Sequence, residues 1–397
     1  MRSLKRFWGE KRFLTLRTMK ILLTGGGTGG HFYPIIAIAE QLNEIAKENR
    51  LLKPELFYMS TEPYNEGLLF ENNILFEKVT AGKIRGSKSF GNILLNFVDL
   101  FKIALGSLSA LWRIFIIYPD VVFGKGGYTS FPALLAARIL RIPVVIHESD
   151  SVPGKVNLWA GKFAKKVAIS YPEAVKYFKE EKTAYTGNPI RKEIQNPMTE
   201  GSHKLLGLSE GVPTIFITCG SQGSVTINTT VMDALVDLIS KYQVVHQTGK
   251  ANIKVIEETS SVVLSNNPKK DRYKPIGYLN VLQLRAASGV ADLVVSRGGS
   301  TIFEIAAWGK PSIIIPIPEP TSHDQRSNAY SYARSGAAIV IEEKNLASHV
   351  LISEIDRILA NKVEKERMVV AATNFARKDS AKLIAEEILA IGLEHEK

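Results

Sequence analysis

The chain repeats one unit four times: an apolar, β-rich run enters a glycine-rich turn, and the turn opens a helix. The unit occurs as KILLTGGGTGGHFYPIIAIAEQL (20–42), DVVFGKGGYTSFPALLAARIL (120–140), TIFITCGSQGSVTINTTVMDALVDLI (214–239) and DLVVSRGGSTIFEIAAWG (292–309). Further short apolar runs, PVVIHES (143–149) and PSIIIPIP (311–318), lie between helical stretches. Continuous Val/Ile runs alternating with helices predict parallel strands covered on both faces. Two glycine-turn units fall in each half of the 397 residues, a length beyond one usual core. The pattern therefore predicts an α/β protein of two Rossmann-like domains facing each other across a cleft. The expected boundaries are a basic extension over 1–18, an N-terminal domain over 19–188, a C-terminal domain over 189–375, and a C-terminal segment over 376–397. The link is the polar, Pro-bearing TGNPIRKEIQNP (186–197). A last helix from about Ser380 to Ile391 is expected to return to the first domain.

Glycine turns at helix N-termini suit phosphate: unpaired N–H groups and the positive end of the helix dipole meet the anion, and no side chain blocks it. One such turn is weak evidence, since a tight strand-to-helix turn needs glycine anyway. Four, two per half, are more specific. Gly25, Gly27 and Gly30 satisfy the dinucleotide pattern G-x-G-x-x-G, but the ribose-binding acid is missing. The first acid after the second strand, PELFYMS (54–60), is Glu62, 32 residues past Gly30, against an expected ~20.

Composition narrows the remaining choices. A formal charge of +11 favours anionic partners: nucleic acid, a phosphorylated ligand or an anionic membrane surface. No nucleic-acid-binding motif accompanies the charge. Cys219 is the single cysteine, so no intramolecular disulfide can form. No C-x-x-C or H-E-x-x-H pattern occurs, so neither a metal nor another cofactor is expected. Residues 1–18 hold six basic residues and one acidic. They read either as an extension from an upstream start codon or as an amphipathic surface anchor with Leu4, Phe7, Trp8, Phe13 and Leu14 on its apolar side. The stretch 90–119 is interrupted by Asp99, Lys102 and Arg113, and so is expected to fall short of the ~20 apolar residues of a span. It reads as one or two wide-faced helices, either in the core or with Phe90, Leu94, Phe97 and Phe101 against a bilayer. In the second case Lys83, Arg85 and Lys88 would meet anionic head groups.

The motifs GGTGGH (26–31), GKGGYTSFPA (124–133), HESDSVPGKVN (147–157), TGNPIR (186–191), CGSQGS (219–224) and SRGGSTIFEIAAWGKP (296–311) occur together and in order. In this combination the chain resembles the lipid II-forming N-acetylglucosaminyltransferases of peptidoglycan synthesis, from about Met19 to about residue 390. The resemblance implies the glycosyltransferase B fold and a peripheral position on the cytoplasmic face of the cell membrane. It implies inverting transfer of GlcNAc from UDP-GlcNAc to the MurNAc 4-hydroxyl of undecaprenyl-pyrophosphoryl-MurNAc-pentapeptide.

By the same resemblance, Thr28, Gly29 and Gly30 would meet phosphate and sugar oxygens in the cleft. Arg191 and Ser221 would hold the UDP diphosphate, and Leu279 would lie against the uracil with its backbone reading the base edge. Glu304 would accept from the ribose hydroxyls, and Gln325 would contact the GlcNAc hydroxyls. Asp150, Ser300, Thr301 and Asn328 complete the expected substrate contacts. Inversion needs a base for the acceptor hydroxyl. His31 is the first candidate, with Asp150 and Glu148 in reserve.

Plainer structural roles compete at several positions. Thr301 to Glu304 fits a capping box, Arg191 a surface arginine after a turn, Gln325 a helix start, Ser221 a turn, and His31 a phosphate-positioning or capping residue. The chain also departs from the family pattern. His147-Glu148-Ser149-Asp150 stands where H-E-Q-N is usual, His323-Asp324-Gln325 where D-H-Q is usual, and the loop Arg297 to Glu304 is one residue short. Rival readings are another enzyme on this scaffold, such as a UDP-GlcNAc 2-epimerase or a diacylglycerol glycosyltransferase, and a non-catalytic nucleotide-sugar binding module.

Overall fold

A computed structural model describes residues 18–83, 90–220, 222–318 and 325–395. Seven strands form the first sheet: β1 (Lys20–Thr24), β2 (Glu55–Ser60), β3 (Ile74–Lys78), β4 (Val121–Gly124), β5 (Val144–Glu148), β6 (Lys166–Ile169) and β7 (Thr183–Tyr185). Six form the second: β8 (Thr214–Thr218), β9 (Gln243–Gln247), β10 (Tyr273–Ile276), β11 (Ala291–Ser296), β12 (Ser312–Ile314) and β13 (Ala338–Val340). Their orders are β3-β2-β1-β4-β5-β6-β7 and β10-β9-β8-β11-β12-β13. Every recorded pairing is parallel.

Parallel order explains the unalternating sequence of the strands. Ile21, Leu22 and Leu23 are all fully buried, because helices cover both faces of the sheet. Ile21 and Leu23 join the helix Gly29–Glu48 through Phe32, Ile35 and Ile36. Leu22 points the other way, to Ala110, Ile114 and Leu134. The second sheet repeats the arrangement, with Ile215 and Ile217 on one face and Phe216 on the other.

The helix Ser380–His395 places Ile384, Ile388 and Leu389 in the cluster that holds Ile21 and Phe32. Gly392 allows its approach: a Cβ there would lie 2.6 Å from the sulfur of Met19. The expected polar link is buried where it begins, from Thr186 to Arg191, and its Thr186 and Gly187 amides bond to Ile169 O.

Residues 90–117 form one helix, Phe90–Ile117. It contains a 23-residue run, Leu95–Ile117, of mean hydropathy 1.7, which is long and apolar enough to cross a membrane. This corrects the expectation that its charges break it: Asp99, Lys102 and Arg113 are too few to outweigh the apolar residues around them. One face (Asp99, Ala110, Ile114) is buried against the first domain, and Gly106 presses on Thr80, whose carbonyl oxygen fills the space that a Cβ would need. The other face shows Phe97, Phe101, Leu105, Leu108, Trp112, Phe115 and Ile116 to solvent. At 1.5 Å per residue this stripe is about 28 Å long.

Candidate active site

Each sheet reverses its strand order once, between β1 and β4 and between β8 and β11. A parallel α/β sheet opens a crevice at the carboxyl ends of the strands on either side of such a reversal. The four glycine turns follow these four strands. The two crevices meet: a Cβ on Gly30 would stand 3.0 Å from Ser300 Oγ, and Tyr33 and Tyr278 share a 2.7 Å hydroxyl–hydroxyl bond.

In the first turn, Gly27 takes a φ of +87°, and Thr28 precedes the helix without bonding its backbone. The N–H groups of Gly29 and Gly30, the first of the helix, have no partner within it. Pro34 also deprives the Gly30 carbonyl of its helical donor. The turn thus presents both donors and an acceptor at the mouth of the cleft. Thr28 Oγ1 lies 3.2 Å from His31 Nδ1. Gly127, with φ +80°, passes close to the same ring: a Cβ there would be 3.5 Å from Cε1.

Behind this turn the second and third loops bury charge. Lys125, directly after β4, is 1% exposed, and its Nζ has no hydrogen-bond partner. Burial lowers its ammonium to about 8, against the pull of Glu148 and Asp150. Glu148 closes β5 at 4% exposure and accepts from the amides of Asp150 (2.9 Å) and Gly154 (3.1 Å) and from Asn157 Nδ2 (2.9 Å). Burial and the Asp150 charge nevertheless raise its carboxyl to about 7. His147 is sealed beneath, 3.0 Å from Gly187 O, and burial holds its pKa well below the usual value.

Asn328, in the helix Gln325–Arg334 of the second domain, crosses the junction. Its Nδ2 donates to Asp150 Oδ1 at 2.9 Å, and its Oδ1 accepts from the Ser151 amide at 2.8 Å.

Arg191 is not a surface residue. It is buried, bonds Glu193 at 3.0 Å, and lies over the Tyr33 ring at 4.5 Å. Glu304 feels its charge, yet burial dominates and raises the Glu304 carboxyl to about 7. The capping box read at Thr301 to Glu304 does not form. The helix Thr301–Trp308 already includes Thr301, and Ser300 precedes it in helical conformation without a side-chain cap. Gln325 starts its helix and accepts from the Ile317 amide at 3.1 Å, with its Nε2 3.6 Å from where a Gly299 Cβ would stand. Leu279 is buried, and its amide donates to Gln247 Oε1 at 3.2 Å, so that N–H is already engaged. Gln247 in turn donates to Gly220 O at 2.8 Å, tying the third glycine turn to the Leu279 loop. Ser221, His323 and Asp324 lie outside the described residues, as do Arg85 and Lys88.

Sequence reading passed over Lys125, Tyr33, Tyr278, Gln247 and the anchoring role of Arg297. Arg297 donates to Ser224 Oγ and Ile315 O and pairs with Glu343. Lys125 and Arg297 left a local signal, a cation inside a glycine turn.

Two family models match: the glycosyltransferase family 28 N-terminal domain over residues 21–169 and its C-terminal domain over 214–385. A Clostridium novyi UDP-N-acetylglucosamine--N-acetylmuramyl-(pentapeptide) pyrophosphoryl-undecaprenol N-acetylglucosamine transferase is 36% identical over 347 residues, covering 86% of this chain and 91% of the relative. A Bacillus cereus relative bearing the same name with the suffix 2 is 35% identical, over 93% of this chain and 99% of its own length. The chain belongs to this family of family 28 glycosyltransferases. Among solved structures, Acinetobacter baumannii MurG superimposes with a TM-score of 0.70 at 24% identity, covering 94% of this chain and 99% of its own. A putative UDP-N-acetylglucosamine 2-epimerase from Listeria monocytogenes reaches 0.68 at 16% identity, covering 96% and 97%. Both establish the two-domain glycosyltransferase B fold and nothing finer.

Proposed function

We propose that this family member transfers GlcNAc from UDP-GlcNAc to the MurNAc 4-hydroxyl of undecaprenyl-pyrophosphoryl-MurNAc-pentapeptide, inverting the anomeric centre. The observation that carries the reading is the meeting of two switch-point crevices, each flanked by glycine turns, at Gly30 and Ser300. The donor lies on the second domain: Leu279 against the uracil, Glu304 on the ribose, Gln325, Ser300 and Thr301 on the sugar. Arg191, already stacked and oriented by Tyr33, stabilises the departing diphosphate with its fixed fork of donors. Ser221 shares that contact. The acceptor diphosphate takes the free amides of Gly29 and Gly30 and the hydroxyl of Thr28. His31, its Nδ1 held by Thr28, accepts the proton of the attacking hydroxyl through Nε2 as the new bond forms. Glu148 is engaged by three donors and Asp150 by Asn328, which suits them to positioning more than to proton transfer.

The apolar stripe on Phe90–Ile117 brings this domain to the cytoplasmic face of the membrane, where an undecaprenyl-linked acceptor resides. The helix lies on the surface rather than crossing, because its Asp99 and Ala110 side is packed on the first domain. Lys83 and the neighbouring basic residues add attraction to anionic lipid.

The test is incubation with labelled UDP-GlcNAc and a lipid I analogue, followed by linkage analysis. A β1,4-linked GlcNAc–MurNAc product that needs the acceptor supports the reading. Epimerised UDP-sugar formed without acceptor would make this an epimerase, and no turnover with either would make it a binding module.

A further inference from the structure

One side chain of the first domain belongs to the core of the second. Strand β6 ends at Ile169, whose carbonyl takes the amides of Thr186 and Gly187 where the link begins. Ser170 stays with the first domain, its Oγ 3.2 Å from His147 Nε2. Tyr171 follows in extended conformation, with φ −123° and ψ 133°, as the residue before a proline must. Pro172 then opens a short 3₁₀ turn, Pro172–Tyr177. The Tyr171 ring leaves its own sheet and is fully buried in the cluster that holds Phe216, Ile302 and Ile314, from β8, the helix Thr301–Trp308 and β12 of the second domain.

Its socket is aromatic. The ring meets Phe303 edge-on at 5.1 Å between centroids and lies 6.1 Å from Phe375. Phe375 in turn stacks on Phe303 at 5.9 Å and meets Tyr332 at 4.8 Å. Phe303 belongs to Thr301–Trp308 and Tyr332 to Gln325–Arg334, the two helices that carry Glu304 and Gln325. The Tyr171 hydroxyl has no hydrogen-bond partner among the described residues, so the fit of the ring and not a polar bond seats it. Two residues on, Glu173 accepts from Ser331 Oγ at 2.8 Å and from Arg334 at 2.7 Å, which ties the same segment to the second of those helices from outside.

We propose that Tyr171 is a positioning residue: a knob of the first domain that sets the two donor-side helices, and with them Glu304 and Gln325, at their distance from the first glycine turn. The inference deepens the proposed reading of the cleft and rests on it for its kinetic readout only. Domains joined by a link alone move relative to each other by default. A close-packed ring cannot slide without repacking its neighbours, so Tyr171 converts a loose junction into a defined one. Transfer between a donor on one domain and an acceptor on the other depends on that spacing, and a misplacement of about 1 Å can cost about 10²-fold in rate.

The experiment compares Tyr171→Phe and Tyr171→Leu in the full chain with a destabilised control, Leu235→Ala, whose side chain is fully buried in the other core cluster of the second domain. The readings are melting temperature, kcat at saturation, the Kd of UDP, and the distance distribution between spin labels on Lys53→Cys and Lys254→Cys. Those two positions are exposed, one on each domain, and the native Cys219 is buried. Tyr171→Phe should match wild type throughout, because the ring remains and the hydroxyl it loses has no partner. Tyr171→Leu should lower kcat about 10- to 100-fold, keep UDP affinity within about threefold, and broaden the label distances. Leu235→Ala should melt lower with kcat and distances unchanged. The proposal is overturned if Tyr171→Leu keeps the wild-type distances, if it loses UDP affinity in proportion to kcat, or if Leu235→Ala loses as much kcat. Should Tyr171→Leu not fold, Tyr171→Met takes its place, and failure of both to fold makes the residue structural and overturns the proposal. The label distances need no substrate, so their outcome is independent of whether the transfer reaction has been assigned correctly.

Discussion

Replacing Phe97 and Phe101 together by alanine tests the proposed membrane face without touching the fold. The two rings are 75% and 66% exposed, one helical turn apart on the solvent side of Phe90–Ile117. Little is lost from the core when they are removed, and alanine is the best helix former. Burying a phenylalanine side chain completely is worth about 1.5–3 kcal/mol. These rings have two-thirds to three-quarters of their surface still to bury, so each has about 1–2 kcal/mol to gain from a bilayer. The pair together should account for about 2–4 kcal/mol, a ~30- to ~1000-fold fall in partition at 1.4 kcal/mol per decade. The assay is cosedimentation with vesicles containing anionic lipid, beside activity on a water-soluble acceptor analogue and a melting curve. Vesicle binding should fall by that factor, with soluble turnover and melting temperature unchanged. Binding within about threefold of wild type would refute the argument and move the anchor elsewhere, residues 1–18 being the next candidate.

Three further outcomes are expected. His31→Ala should lower kcat by roughly 10²–10⁴-fold with donor affinity intact, since the proposed donor site is on the other domain; proportional loss of donor binding would reduce His31 to a positioning role. Arg191→Ala should slow turnover as well as weaken donor binding, seen in kcat with UDP-GlcNAc at saturation. For Glu304, burial raises the carboxyl from 4.5 to about 7. Between those values the folded chain binds more protons than the unfolded one, so this group's effect is to lower stability as pH rises, most fully above pH 7. Glu304→Gln should therefore melt no lower than wild type at pH 8 while its donor KM rises; a large loss of melting temperature there would mark Glu304 as structural.

What could be read in advance was whatever leaves a local mark. The four glycine turns are local events, since a strand that turns at once into a helix needs glycine or a small residue within a few positions. Their places at the two reversals of strand order are set by the sheet topology, which the turn units alone do not give. The pairs that join the domains leave no such mark. Tyr33 and Tyr278 meet across 245 positions, and Ser151 and Asn328 across 177; neither partner's neighbours announce the other. Local rules also misled. Thr301 to Glu304 satisfies the spacing of a capping box, but the helix begins at Thr301, which leaves the threonine inside it and the carboxylate free for another use. The helix 90–117 is ambiguous in sequence because both its sides are apolar, one buried against the core and one exposed and proposed to meet a bilayer.

The helix Ser380–His395 sets the order in which this molecule can be finished. It supplies Ile384, Ile388 and Leu389 to the core that also holds Ile21 and Phe32. During synthesis the ribosome makes about 360 further residues after Lys20 before that helix exists. At roughly 5–20 residues per second that is a delay of about 20–70 s. Throughout it, the first-made half carries an open apolar seam, while the second half waits only for helices encoded close behind its own strands. The half translated first is therefore the half completed last. A nascent chain stalled or cleaved before Ser380 would be a substrate for chaperones, not a smaller working domain.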